Sequence, residues 1–97
     1  MTQKFNPLIN RIVCAANQFS DGTLICSSRH FDQCMKMQLE RINPDYSYWR
    51  KLGHIQGFID KFGNFHDRES AYKIAVEANQ IVRDHHITGE LFSEHLY

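Results

Sequence analysis

Asp21-Gly22 stands between two apolar runs, Ile12-Val13-Cys14-Ala15-Ala16-Asn17-Gln18-Phe19 and Thr23-Leu24-Ile25-Cys26-Ser27-Ser28. Asp-Gly between such runs is the strongest short-range hairpin signal a sequence offers, because glycine supplies the positive-φ backbone that a tight turn requires. The spacing predicts a hairpin over residues 11–28 with Asp21 and Gly22 as its two central turn residues. In that register Phe19 faces Leu24, Asn17 faces Cys26 and Cys14 faces Arg29, so Cys14 and Cys26 do not oppose each other. One face carries Val13, Ala15, Phe19, Leu24 and Cys26, and the other Ile12, Cys14, Ala16 and Ile25. Both are partly apolar, so each calls for a cover: a helix on one side and a second subunit on the other.

Residues 1–10 read as an N-terminal arm. After Arg29-His30, apolar positions at Phe31, Cys34, Met35, Leu39 and Ile42 recur with helical spacing and predict a helix over 31–43, stopped by Asn43-Pro44-Asp45. The aromatic stretch from Tyr46 to Gly53 has no clear period and stays unassigned between a helical turn and a packed loop. A strand region spans 54–65, and Asp67 is placed to cap a helix over 68–82 that carries Ala71, Ile74, Ala75, Ala78 and Val82 on one face. Asn79 is placed to end that helix or nearly so, and the tail 91–97, ending Leu-Tyr, is expected to dock. The order of elements gives an α+β domain: a small antiparallel sheet, the hairpin plus one or two further strands, packed with two helices.

The totals narrow the function. A chain of 97 residues makes one domain, for which oligomerisation is a natural way to gain core. Eleven basic and eleven acidic residues cancel, which argues against a general binder of DNA or RNA and leaves room for a small nucleotide held by one or two arginines. Three cysteines, an opening without an apolar signal segment and no run long enough to span a bilayer point to free thiols in a reducing cytoplasm, with no membrane role.

Arg29-His30 stands where a strand hands over to a helix, and its guanidinium suits a phosphate; a surface ion pair explains the same residue. His30 and Cys34 have the spacing for one metal, but no paired ligand motif accompanies them, and Cys34 in an apolar stripe reads as a core thiol, so no metal is expected. No Gly-x-Ser-x-Gly, Walker loop or Gly-x-Gly-x-x-Gly is present, and all three cysteines lie in apolar patterns, so an enzyme is not expected. Phe58, Phe62 and Phe65, mixed with Asp60, Asp67, Arg68 and Glu69, are either core residues or a platform for a planar ligand. Arg68 opposes the helix dipole at a first turn, which serves an anion or reflects plain exposure.

Ile12-Val13-Cys14-Ala15-Ala16-Asn17, Asp21-Gly22-Thr23, Arg29-His30-Phe31-Asp32, Gly57-Phe58-Ile59-Asp60 and Gly63-Asn64-Phe65 recur in small proteins of tailed phages and prophages. So do Arg68-Glu69-x-Ala71-x-x-Ile74-Ala75, Asn79-Gln80-Ile81 and the ending Leu91-Phe92-Ser93-Glu94-x-Leu96-Tyr97. From Ile12 to Tyr97 the chain resembles the phage anti-Thoeris sponge family, the first type described. The resemblance implies a protein that binds cyclic ADP-ribose isomers without degrading them and so keeps a defence effector silent in the host cytoplasm. It also implies a homo-oligomer, a hexamer, with ligand sites between subunits, and in some members separate pockets for the cyclic trinucleotides of CBASS. No cofactor is implied.

Carried over by position, Arg29 with His30 would clamp phosphate, and Phe58 and Phe65 would stack on a purine. Asp60, Arg68 and Asn79 would read base edges and ribose hydroxyls, and Ser93 and Glu94 would close the pocket from a neighbouring chain. The Lys61-Phe62 step, the His85-His86 loop and the stretch from Asn43 to Leu52 depart from the family's pattern. A second reading is a protein–protein inhibitor or adaptor that docks on a host protein through Tyr46, Tyr48 and Trp49. A third is a hydrolase of the same signals.

Overall fold

In the computed structural model, which describes residues 9–81 and 89–96, the chain is an α+β domain. The arm before Ile9, Val82, the His85-His86 loop and Tyr97 lie outside the described residues. Strands β1 (Ile12–Phe19), β2 (Leu24–Ser27), β3 (His54–Asp60) and β4 (Phe65–Asp67) form one antiparallel sheet in the order β2-β1-β3-β4. Helices α1 (Gln33–Ile42), α2 (Tyr46–Lys51) and α3 (Arg68–Glu77) and a 3₁₀ turn (Ser93–His95) complete it.

The hairpin forms in a different register from the expected one. Gln18 faces Leu24, Asn17 faces Ile25 and Ala16 faces Cys26. The loop is Ser20-Asp21-Gly22 rather than Asp21-Gly22 alone, closed by Phe19 N–H on the Thr23 carbonyl at 2.8 Å and Gly22 N–H on the Phe19 carbonyl at 2.9 Å. Gly22 takes φ 91°, the left-handed residue that ends a three-residue loop, and the Asp21 carboxylate accepts from Thr23 N–H at 2.9 Å. One added loop residue turns β2 over, so Ile25 joins Ala15 and Phe19 inside while Leu24 and Cys26 move to the far side. A second irregularity, a bulge between Ile12 and Cys14 against β3, swings Val13 out to 57% exposure and keeps Ile12 buried. The Gln80 side chain seals it, accepting from Ile12 N–H and donating to the Ile12 carbonyl, both at 2.8 Å. Gln38 treats the edge strand similarly, bonding Cys26 N–H and C=O at 3.2 and 2.6 Å.

All three helices cover one sheet face. Ala15, Phe19, Ile25 and Phe58 meet Met35 and Leu39 of α1, Trp49 of α2, Ala71 and Ala75 of α3, and Leu91. Phe58, Ile25 and Met35 are wholly buried, and each such burial stabilises by about 1.5–3 kcal/mol. Asp32 caps α1, Asp45 caps α2 and Asp67 caps α3, each accepting a backbone N–H from its helix. The first helix therefore starts after Phe31, and its buried stripe is only Met35 and Leu39; Cys34 is exposed, so it is not a core thiol. The third helix ends at Glu77 with Asn79 left-handed at φ 56°, a conformation asparagine tolerates. The tail docks through Leu91, Ser93 and His95, all buried.

The opposite sheet face has no cover among the described residues. It carries Cys14, Ala16, Gln18, Leu24, Cys26, Ile55, Ile59 and Phe65, and it leaves Leu24 and Ile55 exposed. Cys14 and Cys26 are diagonal neighbours there. Burial and the Cys26 thiol push the Cys14 thiol up to about 11, so it stays protonated at neutral pH.

Candidate functional site

Strand alternation places His54, Gln56, Phe58 and Asp60 on the helix-covered face of β3. Around Gln56 and Phe58 the structure gathers side chains from four separate segments. Arg29, at the end of β2, donates from Nη1 to Ser93 Oγ at 3.1 Å, linking positions 64 residues apart. Arg68, the first residue of α3, donates from Nη1 to the Leu91 carbonyl at 2.8 Å and from Nη2 to Gln56 Oε1 at 2.5 Å. Its guanidinium carbon stands 4.5 Å from the centre of the Phe92 ring, which is 39% exposed. His30 places Nε2 2.8 Å from the Gly57 carbonyl and meets the Phe58 ring edge-on at 5.1 Å.

The electrostatics follow from this packing. Burial lowers the His30 pKa and the Arg68 charge lowers it further, while the Gly57 carbonyl and the Glu94 carboxylate act the other way without prevailing. The imidazole is thus neutral at pH 7, and since Nε2 faces a carbonyl it carries the proton and leaves Nδ1 as an acceptor. Burial also lowers Arg68 against the pull of Glu90 and Glu94, yet arginine keeps its charge. The two side-chain hydrogen bonds of Arg68 go to neutral oxygens, while Glu90 and Glu94 lie in the field of its charge.

Among the residues named from sequence, Arg29, His30, Arg68, Ser93 and Glu94 come together here, and Phe58 lies beneath them. Phe58 is wholly buried, so its ring faces belong to the core, and Phe92 is the aromatic surface beside the guanidinium. Asp60, Phe65 and Asn79 lie apart. Asp60 Oδ1 accepts from Phe62 and Asn64 N–H, each at 2.9 Å, and Oδ2 from Asn10 Nδ2 at 3.0 Å and His66 Nε2 at 2.7 Å. Burial would raise this carboxyl, but the Asn10 and His66 side chains and the turn amides outweigh it and hold Asp60 well below the usual range. It is the organiser of the β3–β4 turn. Phe65 lies half-buried on the open face, and Asn79 joins Tyr72, Val76 and Ile81 around a small cavity beyond α3.

Sequence reasoning missed Gln56, Phe92 and Asn17. Alternation counted back from Phe58 places Gln56 on the inner face, and its cross-strand partner Asn17 is a wholly buried amide whose Oδ1 has no hydrogen bond. Among the described residues no group of three or more His, Cys, Asp or Glu is placed to hold a metal ion, and no helix is long and apolar enough to cross a membrane.

A family model described as "Phage T4 y16D protein" matches residues 11–97, from the start of β1 through the tail that carries Ser93 and Glu94. The chain belongs to that family. It is therefore a phage-type protein, and the family's description names no activity. Neither the curated proteins nor the solved structures contain a match. The likeness to anti-Thoeris sponges thus rests on the residues quoted above.

Proposed function

We propose that this phage protein is a non-enzymatic sponge that binds cyclic nucleotide immune signals, cyclic ADP-ribose isomers and cyclic trinucleotides, and holds them intact in the host cytoplasm. One observation carries the reading: Arg29 and Arg68, from separate elements, converge on one tail with a neutral His30 beside them. Two guanidiniums suit the paired phosphates of such ligands through charge-assisted hydrogen bonds. Phe92 offers a stacking surface worth about 1–3 kcal/mol per base, and the exposed Glu94 offers a partner for ribose hydroxyls, while the buried Ser93 positions Arg29. A second copy of the chain would supply the remaining wall, and the open apolar sheet face supports self-association, with a hexamer as the form the resemblance implies.

Calorimetric titration with a cyclic ADP-ribose isomer, then with a cyclic trinucleotide, tests it, followed by heating each complex and weighing the released molecule. Tight binding and intact ligand are expected. A cleaved product would make the protein a hydrolase, and the absence of heat and captured ligand with both would sink the sponge.

The exposure of Tyr46 and Tyr48 favours the second reading, an inhibitor docking on a host protein. Trp49 is buried at 6%, so it braces that surface from within. A Tyr46→Ala, Tyr48→Ala double variant would lose activity under the docking reading and keep nucleotide capture under the sponge reading.

A further inference from the structure

A cavity of about 370 Å³ opens between α1, α2 and the start of β3. Phe31, Trp49, Tyr46 and His54 line it, with Lys36 and Arg50 at its rim. Its floor is aromatic and rigid: Trp49 packs at 4.9 Å against the buried Phe19, and its Nε1 donates to the Asn43 carbonyl at 2.8 Å. Phe31 reaches the cavity from a left-handed backbone at φ 52°, which a bulky side chain seldom adopts, and meets His54 edge-on at 5.3 Å. That turn separates His30, which faces the Arg68 cluster, from Phe31, which faces this cavity.

The charge here is one-sided. No carboxylate lines the cavity, and among the described residues neither Lys36 nor Arg50 has an ion-pair partner. Glu40 is engaged by the Tyr46 hydroxyl, which it accepts at 2.9 Å. An aromatic floor with two exposed, unpaired cations above it recognises a planar ring through stacking and an anionic substituent through charge. The volume lies near the lower end for small-molecule sites, which suits one ring system with one anionic group.

We infer that the cavity lined by Phe31, Trp49 and His54 and rimmed by Lys36 and Arg50 is a second, separate binding site, for a small aromatic anion of nucleoside monophosphate size. The ring lies against Trp49 and Phe31, and the phosphate meets Lys36 and Arg50.

Trp49 is the sole tryptophan, so its fluorescence reports the site directly. The full chain is titrated with adenosine monophosphate, with adenosine and with inorganic phosphate. Adenosine monophosphate is expected to give a saturable change with a sub-millimolar Kd. Adenosine and inorganic phosphate should bind at least about tenfold more weakly, since about 1.4 kcal/mol separates each decade. A Lys36→Ala, Arg50→Ala double variant, changed only at exposed positions, should weaken adenosine monophosphate about tenfold and leave adenosine unchanged. Added salt should weaken the native interaction as well, a check that needs no variant. No saturable change by about 5 mM, equal affinity for adenosine, or indifference to both the double variant and salt would overturn the proposal.

Discussion

The turn built around Asp60 and the surface built around Arg29 and Arg68 use similar residues to different ends. Asp60 is 2% exposed, and its bonds come from Phe62, Asn64, His66 and Asn10, three of them within six residues of it. Its charge is consumed locally, in closing the turn on Gly63 (φ 84°) and pinning the start of β1. Arg68 instead reaches from α3 to Leu91 and Gln56, and Arg29 reaches across the fold to Ser93. A buried charge that satisfies neighbours in sequence stabilises a fold. Charges that bond oxygens of distant elements instead bring those elements together at one surface.

Removing Asp60 should do the greater structural damage. Asp60→Ala leaves several turn donors and the His66 imidazole without their acceptor, and a loss of about 3–5 kcal/mol is expected, read as a fall of roughly 15 °C or more in Tm. The carboxyl's folded pKa lies below its ordinary value of 3.8, so its contribution is full above about pH 4 and is lost as the pH falls toward the folded pKa. Asp60→Asn should flatten that part of the acid-unfolding curve. An unchanged acid limb would break the contrast, since Asp60 would then be no more committed than Arg68.

Gly57→Ala comes next. A β-carbon there would run into the His66 carbonyl oxygen and the Phe65 ring, both across the β3–β4 pair. Because the obstacle is backbone, β4 must move, and a cost of about 2–3 kcal/mol is expected with faster amide exchange in Phe65–Asp67. His30 accompanies the damage, since its Nε2 partner is the Gly57 carbonyl. Unaltered exchange in β4 would show that the sheet edge yields more freely than its packing implies.

These two positions also show what the sequence could and could not convey. Asp67 and Asn79 were legible because caps and terminators are local chemistry. The hairpin was legible, its register not, because Asp-Gly serves two-residue and three-residue loops alike and the choice turns on one residue, Ser20. Helix α2 stayed open between a helical turn and a packed loop, since Tyr46, Tyr48 and Trp49 are indifferent helix formers held by the Asp45 cap and by packing. In the candidate site, Arg29, Arg68 and Ser93 could each be named, yet their meeting depends on where the tail docks, which no local pattern encodes. Phe58 and Asp60 share an inward strand face with Gln56, and it is their burial, which no strand period shows, that makes the first two structural.

Arg68→Lys sharpens the contrast from the other side. Lysine keeps the charge but loses the fork that reaches Leu91 and Gln56 together. Stability should change by less than about 1 kcal/mol, while affinity for a cyclic ADP-ribose isomer should fall about tenfold or more. Calorimetry beside thermal unfolding reads both. A large loss of stability with unchanged affinity would place Arg68 with Asp60 as a structural residue.

The smallest effect expected is the most specific, because it moves stability and binding in opposite directions. Burial holds the His30 pKa below its ordinary 6.5, aided by Arg68 and opposed by the Gly57 carbonyl and Glu94. Its folded-state pKa is depressed, so its contribution to stability is whole above about pH 6.5 and is lost as the pH falls through the folded value. As the pH falls through that folded value the new imidazolium adds a third positive charge beside Arg29 and Arg68, so affinity for a phosphate ligand should rise by roughly threefold. Glu94 is the one carboxylate named in the field of both His30 and Arg68, and it limits the gain. His30→Gln should abolish both trends while keeping a donor for the Gly57 carbonyl. If affinity and Tm instead fell together on acidification, and did so equally in His30→Gln, protonation would be acting elsewhere and His30 would be only a brace for β3.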